Sequence, residues 1–317
     1  LEQVPIWSDI RAEENLEVFF EQIPYMKWYA TTGNGDPPAC YSIFKLMWMK
    51  ENQPEVFEKT DKVVGSKDYI NFMLTGEIAT DPSYASGTGV FDLVSWKYQE
   101  DFIKASGIPA SIFPVVIPSH SIVGKVTADA ARATGLAQGT MVACGGVDNS
   151  CMALGALGAP EIDQGRAYVS LGSSCWVAVN VKKPLIETRF LPFTFAHIQE
   201  GYYTSAMSIF SGGSAYKWAC NQLCRDIVNE ADALHIMDMW AEKVPIGSNG
   251  VLFNPSLAGG TTQDKSPYIQ GAFLGLSLAA TREDMVRPVL QEGIAMNLPL
   301  LPNEIETCIG AADDILM

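Results

Sequence analysis

Apolar positions along this 317-residue chain recur at helical spacing in several stretches and break off sharply at glycines in others. In Ala12 to Gln22, Leu16, Phe19 and Phe20 share one helical face, and Ser8 or Asp9 stands where a cap would. Tyr29 to Pro38, rich in Thr, Gly and Pro, reads as a loop. Ser42 to Met49 predicts a helix with Phe44, Met47 and Trp48 on its core face. Ser66 to Leu74 predicts another, and Gly76 follows it where a left-handed residue is tolerated. Trp96 to Ser106 is helical again, Val123 to Val126 is a short strand, and Ala128 to Thr134 is a helix stopped by Gly135.

Two apolar runs end on glycine-containing turns. Met141-Val142-Ala143-Cys144 leads into Gly145-Gly146-Val147-Asp148-Asn149, and Ala167-Tyr168-Val169-Ser170 leads into Leu171-Gly172-Ser173-Ser174. Each reads as a buried strand delivering a tight turn. Asn149 to Leu157 follows as a helix whose Ser150, Ala153, Gly155 and Ala156 permit close packing. Arg166 to Leu171 and Cys175 to Val181 are strands on either side of the second turn, and residues 182 to 206 are β-structure and loop. Helices are expected over Ser214 to Asn229 and Asp232 to Lys243, and a strand over Gly250 to Asn254 that ends at Pro255. Asp284 to Asn297 reads as a helix that Pro288 kinks or shifts. Helix and strand units in alternation make this an α/β chain.

Composition narrows the function. With 48% hydrophobic and 18% charged residues, the chain is long enough for two domains or one large one. A net charge of -15 argues against nucleic acid as a partner, although a few local N–H groups can still build a phosphate site. The seven cysteines form no Cys-x-x-Cys pair and several lie in apolar runs, as reduced thiols of a cytoplasmic protein do. Cys220 and Cys224 share a helical face without His or acidic neighbours, a poor zinc site, and no metal-ligating set is assigned. His120, His197 and His235 share no ligand spacing. No run reaches membrane-spanning length, and no signal peptide is expected.

Asp148 admits two readings. It caps the helix that follows, or it faces a cleft as a general base, where the helix start stabilises its negative charge. Gly172, Ser173 and Ser174 either form an ordinary hairpin turn or cradle a phosphate with backbone N–H groups and hydroxyls. Gly212-Gly213, ahead of a helix, is a second anion-site candidate. Asp9 and Arg11 make a local salt bridge or the wall of a sugar site. Neither a Walker A loop nor a Gly-x-Ser-x-Gly elbow occurs.

Motif order then points to a family. Trp7-Ser8-Asp9-x-Arg11-Ala12, Lys45-Leu46-x-Trp48-Met49-x-Glu51-Asn52, Lys67-Asp68-Tyr69, Leu74-Thr75-Gly76-Glu77, Thr80-Asp81 and Ala85-Ser86 follow one another as they do in the FGGY carbohydrate kinases. Gly145 to Asn149 resembles that family's GGGDN with Val147 in a glycine place, and Leu171 to Ser174 its LGTS with Ser173 in the Thr place. Gly213 ahead of Lys217-Trp218, Pro255 to Gly259, and Gly271 to Leu276 with Arg287 and Glu292 to Ala295 continue the order. The similarity runs from Pro5 to about Asn297 and is most marked to xylulokinase-like members.

The resemblance implies two ribonuclease-H-like domains of the actin-like ATPase fold around a central cleft, the first missing its N-terminal part. Residues 1–158 would bind sugar and residues 159–317 nucleotide. It implies Asp148 as catalytic base, Asp148 and Asn149 at the sugar, and Gly172, Ser173, Ser174, Gly213 and Lys217 at the nucleotide. ATP and Mg²⁺ are the expected cofactors, a ketopentose such as D-xylulose the expected acceptor, and a homodimer a family-level expectation. A non-catalytic sugar-sensing relative is the alternative, motivated by Val147, Ser173 and Gly260. The family's Asp-x-Gly-Thr loop and its adenine motif are not recognisable, Gly260-Thr261-Thr262 replaces its G-E-R-T, and Glu304 to Met317 holds scraps of the adenine region. The chain is therefore expected to be part of a longer one.

Overall fold

The computed structural model describes residues 4–7, 9–159, 166–188, 191–227, 229–260, 264, 266, 268–294 and 314–316. Expectations placed on Ser8, Thr261, Thr262, Ala295 to Asn297 and most of 304–317 lie outside these residues. The chain divides into two compact units, one of residues 1–164 with 179–205 and one of residues 165–178 with 206–317. Neither unit is a single stretch of sequence.

In the first unit, a 3₁₀ turn over Arg11–Asn15 runs into α1 (Leu16–Phe20), followed by α2 (Tyr25–Thr32), α3 (Ser42–Asn52), α4 (Pro54–Glu58) and α5 (Ser66–Thr75). Phe19, Trp28, Phe44 and Phe102 are fully buried together, with Phe19 edge-on to Phe44 at 5.1 Å and to Phe102 at 6.2 Å between centroids. Such edge-to-face aromatic pairs add to the stabilisation from burial itself. The expected loop at Tyr29 is instead the last turn of α2. Thr31 and Thr32 donate their hydroxyls to the carbonyls of Lys27 and Trp28 four residues back, and Gly33 ends the helix at φ +66°. The first helix lacks the expected cap: its N-cap is Ile10, and Asp9 pairs with Arg11 instead.

Beyond α5, Gly76 closes the helix at φ +80°, as expected. Then come β1 (Ala79–Thr80), α6 (Pro82–Ala85), β2 (Phe91–Asp92), β3 (Lys97–Tyr98), α7 (Glu100–Ser106), β4 (Val115–Val116) and β5 (Ile122–Lys125). β1 and β4 pair in parallel, Ala79 with Val115 and Thr80 with Val116. The helix expected from Trp96 starts only at Glu100. Asp92 accepts the N–H groups of Val94 and Ser95, closing a hairpin in which Trp96 takes φ +56°. α8 (Ala128–Thr134), capped by Thr127 and ended at Gly135, matches its expectation. β6 (Met141–Ala143) pairs with β5, but Met141 is 67% exposed, so it is a surface ribbon rather than the buried strand expected. α9 (Asp148–Leu157) buries Ser150 and Ala153, whereas Gly155 and Ala156 face solvent.

β7 (Arg166–Leu171) and β8 (Cys175–Val181) stand where the sequence places them. With β9 (Phe193–Ala196), β10 (Tyr203–Ile209) and β13 (Asp314–Leu316) they form a sheet in the order β13-β7-β8-β10-β9. In the second unit, α10 (Gly213–Leu223) stops six residues short of the expected Asn229. α11 (Glu230–Lys243), β11 (Leu252–Asn254), β12 (Ala272–Leu274) and α12 (Arg282–Arg287) follow. Their core gathers Ala215, Ala219, Met237, Phe253, Val286 and Val289. The expected helix starts ahead of Asp284, at Arg282, and at Pro288 α12 gives way to a π-helical turn over Pro288–Gly293. Pro lacks the N–H an α-helix needs there, and a wider turn accommodates the loss. Among the described residues no helix is long and apolar enough to cross a membrane.

Candidate active site

In the first unit the turn before α9 is shaped by its glycines. Gly145 takes φ +74°, which L-residues rarely adopt. A Cβ on Gly146 would lie 2.1 Å from Ile198 Cγ2 and 3.2 Å from Ser83 Oγ, so this position needs a bare backbone. Val147 sits at φ −65°, ψ 150°, ordinary extended backbone, so a side chain in the family's third glycine place leaves the turn intact.

Val147, not Asp148, is the N-cap of α9, and no side chain caps it. Asp148 is the first helical residue and is exposed. Its Oδ1 accepts the N–H of Asn149 at 2.8 Å. No hydrogen bond to its Oδ2 occurs among the described residues. The carboxylate is therefore steadied on one side and open on the other, and the capping reading of Asp148 is not realised.

Beneath the turn lies a buried polar cluster that the sequence did not reveal. Asp81 and Ser83 are fully buried, and Asp81 pairs with Lys67 at 3.0 Å. Lys67 also contacts Asp68. Burial opposes the charge on Lys67, but Asp68 and Asp81 outweigh it and hold its pKa above the ordinary lysine value. Burial also pushes the Cys144 thiol up to about 11. The sequence carried these residues only as Lys67-Asp68-Tyr69 and Thr80-Asp81, two motifs of the family resemblance, and neither shows that Lys67 and Asp81 pair.

A cavity of about 400 Å³ adjoins the cluster, walled by Trp96, Tyr98, Ser119, His120, Ile198 and Glu200 among others. Ser119 and Ile198 belong both to this cavity and to the packing of the turn: the Ser119 carbonyl accepts the Gly145 N–H, and Ile198 crowds Gly146. Aromatic faces beside a few polar groups suit a polyhydroxylated molecule.

In the second unit the Gly172–Ser173 turn and the start of α10 meet. The N–H of Gly213 donates to the Gly172 carbonyl at 2.8 Å, and those of Gly212 and Ser214 to the Ser173 carbonyl at 2.9 and 3.1 Å. A Cβ on Gly213 would lie 2.8 Å from that Gly172 carbonyl oxygen. The N–H groups that made Gly212-Gly213 an anion candidate are thus committed to the turn, which corrects that reading. Gly172, Ser173 and Gly213 are exposed and Ser174 is half-buried, and Lys217 is exposed on α10. Asp9 and Arg11 form the local salt bridge, at 2.8 Å. Among the described residues no group of three or more His, Cys, Asp or Glu is arranged to hold a metal ion.

Family models match nearly the whole chain. The model of the FGGY family of carbohydrate kinases, N-terminal domain, matches residues 1–155, and that of the C-terminal domain matches residues 167–317. Xylulose kinase of Bacillus subtilis (strain 168) is 30% identical over 259 residues, 81% of this chain and 50% of that protein. Gluconokinase of the same organism is 26% identical over 297 residues, 92% of this chain and 57% of that protein. The crystal structure of xylulose kinase from Rhodospirillum rubrum superposes with a TM-score of 0.83 at 29% identity, covering 97% of this chain and 60% of that one. The chain spans about half the length of the curated relatives it matches.

Proposed function

We infer that this chain, which belongs to the FGGY family of carbohydrate kinases, serves the ATP-dependent phosphorylation of a sugar hydroxyl. The acceptor in this reading is a ketopentose such as D-xylulose, supported by similarity to xylulose kinases at about 30% identity; the gluconokinase relative makes sugar acids the next class to assay. Residues 1–158 would form the sugar-binding domain and 159–317 the nucleotide-binding domain, each of the ribonuclease-H-like type. ATP would enter as its Mg²⁺ complex, the ion supplying charge neutralisation at the phosphates.

One observation carries the reading: an exposed carboxylate at the start of α9, one oxygen bonded to the helix and the other open. Asp148 accepts the proton of the sugar hydroxyl as the hydroxyl oxygen attacks the γ-phosphorus of ATP, whose bond to the bridging oxygen breaks so that ADP leaves. Asn149 lines the sugar beside it. Gly172, Ser173 and Ser174 hold the phosphates, while Gly213 and Lys217 flank the nucleotide. This division suits phosphoryl transfer, where the protein contributes mostly positioning and charge stabilisation. The ordinary backbone of Val147 removes one motive for the sugar-sensing alternative.

The test is an ADP-release assay of the intact protein against ketoses, polyols and sugar acids, with Asp148→Ala in parallel. Loss of a general base costs about 10²–10⁴-fold, so sugar-dependent turnover falls by at least about 10²-fold while the variant stays folded by circular dichroism. Near wild-type turnover in that variant sinks the assignment.

A further inference from the structure

The backbone leading to Asp148 is hung, residue by residue, from side chains and loops of the same unit. The Cys144 carbonyl accepts Asn71 Nδ2 at 2.9 Å and Lys67 Nζ at 3.3 Å, both from α5. The N–H groups of Cys144 and Gly145 donate to the carbonyls of Ser121 and Ser119 at 2.8 and 2.9 Å. Val147, the last residue before Asp148, donates its N–H to Ser83 Oγ at 2.9 Å. This is the anchor nearest the carboxylate, and a side chain alone supplies it.

The direction of that anchor is fixed by chemistry. Ser83 Oγ also lies against Asp81 Oδ2. The same carboxylate takes Ser119 Oγ at 2.7 Å and the Ser83 N–H at 3.0 Å, while its other oxygen meets Lys67 at 3.0 Å. A carboxylate so engaged only accepts, so the Ser83 hydroxyl must spend its one proton on Asp81. Its lone pairs are then left for Val147. Asp81 thus sets the polarity of the hydroxyl, and the hydroxyl sets the place of the peptide that carries Asp148. Asp81 and Ser83 are held without access to water, at 0% exposure, and Val147 is half-buried.

We propose that Ser83, oriented by Asp81, is a positioning residue for phosphoryl transfer, fixing the angle at which Asp148 meets the sugar hydroxyl. The proposal rests on the reading of Asp148 as the base. Displacing a reacting group by about 1 Å costs up to about 10²-fold in rate. A hydroxyl that positions a base acts only through that base, and this separates it from a hydroxyl that merely supports the fold.

The experiment is a double-mutant cycle in the intact protein, with Ser83→Ala, Asp148→Ala and the pair, following kcat and the KM values for sugar and ATP. Ser83→Ala is expected to lower kcat by about 10- to 100-fold, with the KM for ATP within twofold and an unchanged sugar-binding stoichiometry by calorimetry. In the Asp148→Ala background the same substitution is expected to cost nothing further. Asp81→Asn, which keeps the volume but can donate to Ser83, should give the same pattern and carries the cycle if Ser83→Ala does not fold. Equal losses in both backgrounds, or wild-type kcat in Ser83→Ala, overturn the proposal and leave Asp148 as base. Wild-type turnover in Asp148→Ala overturns both.

Discussion

Gly146 and Val147 are neighbours under opposite constraints. A methyl on Gly146 would overlap Ile198 and press on Ser83 Oγ, whereas Val147 carries its side chain on unstrained backbone. Gly146→Ala is therefore expected to destabilise the protein by about 1–3 kcal/mol, the usual range for overpacking, seen as a lower denaturant midpoint at unchanged slope. A midpoint equal to wild type would show that Ile198 yields freely. The sequence made Asp148 visible because it sits in a recognisable string. Ser83 stayed hidden because its partner Val147 lies 64 residues away and nothing in Asp81-Pro82-Ser83 points across that gap. Residues that touch a substrate tend to carry a local signature; residues that hold them in place owe theirs to the fold.

Elements were legible where both ends carried chemistry. α8 has its Thr127 cap and Gly135 stop, and the hairpin of β7 and β8 has its glycine turn. α2 was missed because Thr and Gly suggest a loop, while the threonines satisfy themselves against the preceding helical turn. α12 offers the clearest energetic test. Thr281 and Asp284 form a reciprocal capping box, and Asn249 donates to the other oxygen of Asp284 at 2.8 Å. The Thr281 backbone N–H and Asn249 hold the Asp284 carboxyl below the usual aspartate range. A depressed carboxyl stabilises the fold above its unfolded pKa of about 3.9. That stabilisation drains away as pH falls through the lower folded value. Asp284→Asn should thus be less stable than wild type at neutral pH and approach it in acid, in thermal melts across that range. Thr281→Ala should lose about 1 kcal/mol. A stability gap for Asp284→Asn that does not narrow in acid would refute this account.

On the scale of the whole molecule, the net charge is -15 and the thiols are mostly covered. Of the six described cysteines, Cys144, Cys175, Cys220 and Cys224 are buried, Cys40 is partly covered and Cys151 is exposed. Burial raises Cys40 and Cys144 to about 11, so little thiolate exists at either near neutral pH. Mild alkylation of the native protein should mark Cys151 first among these six, and added reductant should leave their contribution to the melting temperature unchanged. Rapid labelling of Cys144 ahead of Cys151 would contradict the burial. The reading of Cys144 as an apolar, reduced thiol was available from its sequence context; the exposure of Cys151 was not, because a helix of small residues does not announce which face it shows.

The discontinuity of the two units bears on how such a protein can be inherited and recombined. The stretch from Val179 to Ser205 completes the first unit although it is encoded after the first part of the second. Within that unit, the Ala196 N–H donates to Ser86 Oγ at 2.9 Å and its carbonyl accepts Ser150 Oγ at 3.4 Å, tying the late segment to α9. A crossover near residue 158 would exchange most of the first unit while leaving behind one of the segments that supports it. Exchanges that keep 179–205 with its own first unit would travel better, so that unit should be inherited in two linked pieces rather than one.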